Sequence, residues 1–477
     1  MVFPILPANT LSTGAYDIAN SCRFSGNTYL RIDSGENAST RAIFTLSFWI
    51  KRGTLSGEAY SNEYLFTSND VGGSNHVKVY FSSDNSLTLE LKVDGSTTTI
   101  DTSRLFRDRS AWYHIVIAVD STQGTSANRV DIYVNGVKET AFDTEQYPAE
   151  DAEFEWFNDT EVMTIGARTA GDRYFDGYMA DIAIINVTTG LTASTFGETD
   201  EDSGIWKPKK ITQSFSPTNS CYLEFKQSGT GQDSSGIGAD TGGNDKHFAV
   251  TNLTAVDQCT DTPTNNWCTF NPLDVSGVDN PGELHTYSEG NTKIVHETGD
   301  NVLGWAASTI GLRNGKWYFE IKLLTVGHQV FGVGPNSWDG QDGSHANVFH
   351  VYVNNGAGKW RNESGENSIS LTEANNDIWM FALDLDSPKW WIGHNGTWLS
   401  SGDPAAGSNP LSTSAITDTV FIKGSLYAED RSLLLNTGNP SFEIASGNAD
   451  DNGYGNFEYD VPSGFYAICT KNLAEYG

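Results

Sequence analysis

Apolar and polar residues alternate strictly along two stretches of the chain, and each stretch ends in an Asn-Gly pair. The first runs Phe44-Thr-Leu-Ser-Phe-Trp-Ile50 and continues at Arg129-Val-Asp-Ile-Tyr-Val-Asn-Gly-Val137. The second runs Lys316-Trp-Tyr-Phe-Glu-Ile-Lys-Leu323, then Trp379-Met-Phe-Ala-Leu-Asp-Leu-Asp386 and Lys389-Trp-Trp-Ile-Gly-His-Asn-Gly-Thr-Trp-Leu399. A period of two places Phe44, Leu46, Phe48 and Ile50 on one face of a strand, and Trp317, Phe319, Ile321 and Leu323 on one face of another. Asn-Gly supplies the two positive-φ residues of a type I′ turn, whose twist suits antiparallel strands. The pattern predicts an all-β chain of two antiparallel sandwiches in tandem.

Strand-like runs follow one another from Cys22 to Val187, and His114-Ile-Val-Ile-Ala-Val119 is apolar enough for a central strand covered on both faces. Residues 1–20 lack a clear period and read as an N-terminal attachment arm. A first sandwich is expected over 21–190. Residues 191–280 contain the acidic breaker Glu198 to Gly204 and the Gly-rich run Gly229 to Asp245, so they read as a small connecting module of turns and hairpin. A second sandwich is expected over 281–477, where tryptophans 305, 317, 338, 360, 379, 390, 391 and 398 collect. No long amphipathic helix is visible.

Composition narrows the function. The 477 residues include 48 glycines and carry a formal net charge of −31. A field of that sign repels nucleic acid and anionic membrane surfaces. No apolar run approaches the roughly 18–20 residues of a spanning helix, and Met1 to Ala8 lacks the pattern of a Sec signal, so no membrane insertion is expected. Five scattered cysteines, an odd number, fit reduced thiols after cytoplasmic synthesis better than a disulfide scaffold.

Five ordered segments of the first sandwich resemble a laminin-G-type, concanavalin-A-like lectin domain: Phe44 to Lys51, Trp112 to Asp120, the Val130 to Val137 hairpin, Thr164 to Arg168 and Phe175 to Ile184. The second sandwich resembles a SPRY-type domain through Gly315-Lys-Trp-Tyr-Phe-Glu320, Phe331-Gly-Val-Gly334, Phe381-Ala-Leu-Asp384 and Trp391 to Trp398. Ile18 to Phe24, Asp261 to Leu273 and Ser401 to Pro410 resemble tail-fibre or virion structural proteins of tailed phages. That last resemblance implies location in the virion, contacts with other virion proteins and outward presentation toward a host; a homotrimer is an expectation carried by fibres in general.

Catalytic residues are not expected. A glycosidase needs two carboxylates roughly 5–10 Å apart, and the nearest match, Glu198-Thr-Asp-Glu-Asp202, lies in a breaker. Asp384 and Asp386 are expected to face solvent, opposite the apolar face of Trp379, Phe381, Leu383 and Leu385. No nucleophile elbow or His-Glu-X-X-His occurs, and His345 and His350 are spaced to opposite faces of a strand. The laminin-G resemblance implies one calcium ion at a loop rim, for which Asp70, Asp120, Asp172 and Asp176 are the candidate ligands; each is equally a turn former. Glycan or protein recognition would use loop aromatics flanked by hydrogen-bonding side chains. Trp156, Asn158, Arg168 and Arg173 are the candidates in the first sandwich, and Trp338, Asp339, Trp360 and Arg361 in the second.

The expected function is non-enzymatic recognition of a host surface glycan or protein by a phage virion protein, through loops at the sandwich ends. A structural or decoration protein that binds no ligand is the alternative. A polysaccharide depolymerase stands third, because the paired carboxylates are missing.

Overall fold

The computed structural model describes residues 16–33, 41–69, 73–156, 162–215, 219–274, 285–296, 304–338, 345–354, 357–362, 364–369, 371–427 and 431–477. The chain divides into two compact units, with the boundary between Asn265 and Asn266. Both are all-β and both are built from antiparallel sheets packed face to face.

The first unit holds β1 (Ser21–Phe24), β2 (Tyr29–Asp33), β3 (Ile43–Arg52), β4 (Glu63–Ser68), β5 (His76–Phe81), β6 (Ser86–Val93), β7 (Ser96–Leu105), β8 (Tyr113–Asp120) and β9 (Val130–Val134). It continues with β10 (Val137–Lys138), β11 (Phe142–Glu145), β12 (Val162–Ile165), β13 (Gly177–Asn186), β14 (Gly197–Thr199), β15 (Trp206–Pro208), β16 (Cys221–Leu223), β17 (Ala249–Thr251) and β18 (Gln258–Cys259). One sheet runs β10-β9-β8-β3-β13-β1-β18 with β16 also on β13; the other runs β11-β7-β6-β5-β4-β12-β2-β17. Alternation predicts the core correctly: Phe44, Leu46, Phe48 and Ile50 point inward against Phe66, Val79, Leu89 and Met163 of the facing sheet. Asn135 and Gly136 take φ of 47° and 81°, the turn their sequence demands.

The first sheet also has an apolar outer face, because Trp49, Val116, Tyr178, Ala183 and Ile185 alternate with the core residues. Such a face must be covered. Leu191, Ala193, Phe196 and Tyr222 pack over one half of it, and Ile18 and Cys259 over the other. The stretch expected as a separate connecting module therefore completes the first unit up to Asn265, and Asn266 onward belongs to the second. Of the expected arm, Tyr16 to Asn20 lie against this outer face; residues 1–15 fall outside the described residues.

The second unit holds β19 (His285–Ser288), β20 (Lys293–His296), β21 (Gly304–Leu312), β22 (Lys316–Thr325), β23 (His328–Pro335), β24 (Phe349–Asn354) and β25 (Ala357–Asn362). After these come β26 (Gly365–Ile369), β27 (Ile378–Asp384), β28 (Lys389–His394), β29 (Thr397–Trp398), β30 (Val420–Tyr427), β31 (Ser432–Asn436), β32 (Tyr466–Ala467) and a closing helix α1 (Thr470–Tyr476). The sheets run β19-β20-β31-β22-β27-β28-β29, with β32 on β22, and β21-β30-β23-β24-β25-β26. Trp317, Phe319, Ile321 and Leu323 point into the core with Trp379, Phe381 and Trp390. The opposite face of β22, β27 and β28 is covered too, by Trp267, Phe457 and Phe465 over Tyr318, Met380, Ala382 and Trp391. Asp384 is accordingly buried rather than facing solvent; it pairs with Lys316 at 3.1 Å and caps the turn through the amides of Asp386 and Ser387. No helix among the described residues is long and apolar enough to cross a membrane.

Candidate functional site

A cleft of about 460 Å³ lies in the first unit between the β6–β7 hairpin and the loop segments at Arg41 and 148–155. Its floor is the β6–β7 hairpin. Leu91 pairs with Thr98 and Val93 with Ser96, and period two turns all four toward the cleft side. The far wall is the strap 148–155. Its Ala152 and Phe154 plug the core while Glu150, Asp151 and Glu153 stay exposed, so alternating anchors fix the carboxylates at the rim. The amide of Asp151 bonds to Ser121 O at 3.0 Å and that of Phe154 to Arg41 O at 3.0 Å.

Arg41 joins the wall to itself. Its Nη2 donates to Glu153 at 2.8 Å and its Nη1 to Glu155 at 3.0 Å. Asn75 then links strap to hairpin: its Nδ2 donates to Glu155 at 3.1 Å, and its Oδ1 accepts from the Asp94 amide at 2.6 Å. The result is a preformed trough with an apolar base, carboxylate and amide acceptors on the walls and one guanidinium already engaged. It can take hydrogen bonds from hydroxyls above an apolar patch, the arrangement small polar ligands use.

A buried serine–histidine pair in the same unit is not set for hydrolysis. Ser47 Oγ lies 3.0 Å from His114 Nε2, the spacing of a nucleophile and its base. Yet the Trp206 indole donates to His114 Nδ1 at 3.0 Å, and an indole N–H can only donate. The imidazole proton is therefore on Nε2 and points at the serine, the reverse of what a general base needs. Burial pulls the His114 pKa down to about 3, so the ring stays neutral, stacked on Trp49 at 4.7 Å. The carboxyls that burial raises, Glu63, Asp181, Glu320 and Glu373, all lie away from the cleft lining.

The residues singled out from the sequence scatter. Trp156, expected in an exposed loop, is buried and stacks on Phe44 at 5.1 Å; the alternation of Ala152, Phe154 and Trp156 drives it inward. Trp338 is buried as well, packed with Val330 and Val348 and lying 5.2 Å from His350. Trp360 on β25 is half-buried against the second core, 6.1 Å from Trp390. Arg361 pairs with Glu366 at 2.5 Å. Arg168 pairs with Asp172 at 2.9 Å, and Arg173 donates to Ser61 Oγ at 2.8 Å. Asn158, Asp339 and Asp70 lie outside the described residues.

The three calcium candidates among the described residues each have partners within the chain. Asp120 spends its carboxylate on Thr122 and Gln123, Asp172 on Arg168, and buried Asp176 stands at the close approach to Gly53, whose amide donates to Asp176 O at 2.8 Å. Among the described residues no three His, Cys, Asp or Glu side chains come together as a metal would need. The chain uses acids as loop clamps instead. Asp240 accepts from the amides of Tyr222, Gly242, Asn244 and Lys246, and Asp450 from those of Asn452, Tyr454 and Ala467.

The cleft residues Arg41, Asn75, Glu153 and Glu155 were missed because none is aromatic and their segments are far apart in sequence. The strap's inward anchors at 152, 154 and 156, with Glu between them, were the available signal.

Residues 24–192 match the family model Laminin_G_3, described as the concanavalin A-like lectin/glucanases superfamily. No curated protein matches the chain. Among solved structures, a native heptameric SAP-like pentraxin from Limulus polyphemus is similar at 20% identity over 37% of this chain and 81% of its own, with a TM-score of 0.27. The TRIM65 PSpry domain is similar at 16% identity over 36% of this chain and 89% of its own, with a TM-score of 0.26. The LG1-3 region of the laminin alpha2 chain is similar at 10% identity over 87% of this chain, with a TM-score of 0.33, and the match spans 62% of that chain. Overlaps of this size carry no argument about activity. By the family match and its own sheets, the chain carries a concanavalin-A-like, laminin-G-type domain over residues 24–192.

Proposed function

We propose that this chain is a non-enzymatic recognition protein whose first unit binds a surface glycan in the cleft between the β6–β7 hairpin and the strap 148–155. One observation carries the reading: an open, preformed trough with polar walls over Leu91 and Val93, in the segment that matches a lectin-containing family. Carboxylate and amide oxygens fixed by Arg41 and Asn75 accept hydrogen bonds from sugar hydroxyls, and the apolar floor receives a ring's C–H face. The phage resemblance of residues 18–24, 261–273 and 401–410 extends the proposal to location. The chain would be a tail-fibre or fibre-like component of a virion, attached to other virion proteins and homotrimeric, that contacts a host surface glycan or protein.

The test uses the purified chain on host cells and on host envelope polysaccharide, with Asn75→Ala and Asp151→Ala as cleft variants. Binding to cells and blocking of phage adsorption, weakened about tenfold or more by each variant at a temperature where both variants stay folded, is the expected result. Tight binding to the particle without binding to cells would replace this reading with a decoration role, and release of oligosaccharides would replace it with a depolymerase.

A further inference from the structure

The pairing of β13 with β3 slips between Ala180 and Ala183. Asp181, inside that bulge, has a φ of 52° and is 2% exposed. A bulge sets an additional residue into one strand and re-aims its side chain, and a non-glycine held at positive φ is a strained position that the surroundings must enforce. What surrounds this one is a pair of phenols. The Tyr222 hydroxyl donates to Asp181 Oδ1, the Tyr16 hydroxyl lies 3.4 Å from the same oxygen, and the two hydroxyls are 3.2 Å apart.

Three separate pieces of chain meet at this carboxyl. Tyr222 comes from β16, Asp181 from β13, and Tyr16 from the lead-in segment Tyr16 to Asn20 ahead of β1. The other charged groups that act on it are Glu224 and Lys226, which are paired with each other at 2.7 Å. From β3, the strand across the bulge, Trp49, Phe48 and Ser47 stand opposite, and none of them titrates. Asp17 of the lead-in is exposed.

We propose that Asp181, Tyr16 and Tyr222 form a proton-dependent latch that holds the lead-in segment on the outer face of the sheet while the carboxyl is protonated and releases it on ionisation. Burial is the leading cause, and it pushes the Asp181 pKa up from 3.8 to about 7; the hydroxyl hydrogen bonds work against that rise. The docked form therefore holds the proton more tightly than an open, hydrated form would. Docking is fully supported below about pH 4 and weakens as the pH rises through about 7. Ile18, buried in the same cluster, docks beside the latch and carries no charge of its own to titrate.

Amide hydrogen exchange of the full chain between pH 4 and 8.5, corrected for the intrinsic pH dependence of exchange, reads the latch directly. Protection at Ile18, Ala19 and Asn20 should fall by up to tenfold per pH unit between about pH 4 and 7 and level off above 7, as one-proton linkage requires. Asp181→Asn, which keeps the shape and cannot ionise, should flatten that dependence. Tyr16→Phe, which removes a donor to the carboxyl and leaves the carboxyl itself, should lower protection at every pH while the dependence persists, so the contact is still tested if the Asp181 variant fails to fold. Wild-type protection that is constant between pH 4 and 7, a pH dependence that persists in Asp181→Asn, or protection unchanged in Tyr16→Phe, would overturn the latch.

Discussion

Arg52 ends β3 and Glu63 begins β4, so their ion pair bridges the two sheets of the first unit, and both side chains are fully buried. Burial opposes the charge of each, lowering the arginine pKa and raising the carboxyl's. Each keeps the other ionised. Glu63→Gln removes one charge at constant shape and leaves a desolvated guanidinium that cannot shed its proton. Breaking a buried pair in this way costs about 3–5 kcal/mol. Nη1 keeps two neutral acceptors, Asn85 Oδ1 at 2.9 Å and Phe106 O at 2.8 Å, which places the loss near the lower end, about 3 kcal/mol. For a unit of this size that is about 6–12 °C in Tm. Replacing both residues, Arg52→Met with Glu63→Leu, removes the uncompensated charge along with its partner and should return stability to within about 1–2 kcal/mol of the wild type. Urea unfolding and calorimetry of the full chain measure both variants. A loss below about 1 kcal/mol for Glu63→Gln, or a double variant less stable than the single one, would refute the electrostatic argument.

In the second unit, Phe381→Ala removes a ring stacked on Phe319 at 4.7 Å in the core, and urea unfolding should register a loss of about 3–5 kcal/mol. Gly177→Ala sets a methyl 2.3 Å from Lys51 O at a φ of +144°; about 2 kcal/mol or more should be lost, read as a lower denaturation midpoint with an unchanged slope. Glu90 is held down to a pKa of about 2, first by its hydrogen bond to His76 at 2.7 Å and next by Lys78 at 2.9 Å. A depressed carboxyl stabilises above its ordinary pKa and loses that contribution as the pH falls toward 2. Glu90→Gln should therefore cost about 1–3 kcal/mol at pH 6 and flatten the acid limb between pH 4.5 and 2 in a pH series of unfolding curves.

How much was legible from the residues differs between the cores and the site. Wherever one face of a strand is buried, period two writes that face into the sequence, as at Phe44 to Ile50 and Trp317 to Leu323, and the Asn-Gly turns at 135 and 395 followed from backbone sterics alone. Strands without that contrast were unread: β7, Ser-Thr-Thr-Thr-Ile-Asp-Thr-Ser-Arg-Leu, is mostly polar, and β21, Gly-Trp-Ala-Ala-Ser-Thr-Ile-Gly-Leu, is small and mixed. Both are held by ladder hydrogen bonds to neighbours, which any side chain permits.

The tryptophans of the loops taught the opposite lesson. Polar neighbours around Trp156 and Trp338 suggested exposure, while the structure buries both, because an aromatic's large apolar area outweighs the polarity of the residues beside it. The cleft depended on Arg41, Asn75 and Glu155, more than a hundred residues apart at the extremes, meeting beside one hairpin. Likewise β8 read as covered on both faces, but that the stretch from Leu191 to Cys259 supplies the cover could not be read locally. Local alternation thus determined the class of fold and its two cores. Which polar groups converge, and which apolar face still needed a lid, are properties of long-range pairing, and only the tertiary structure decided them.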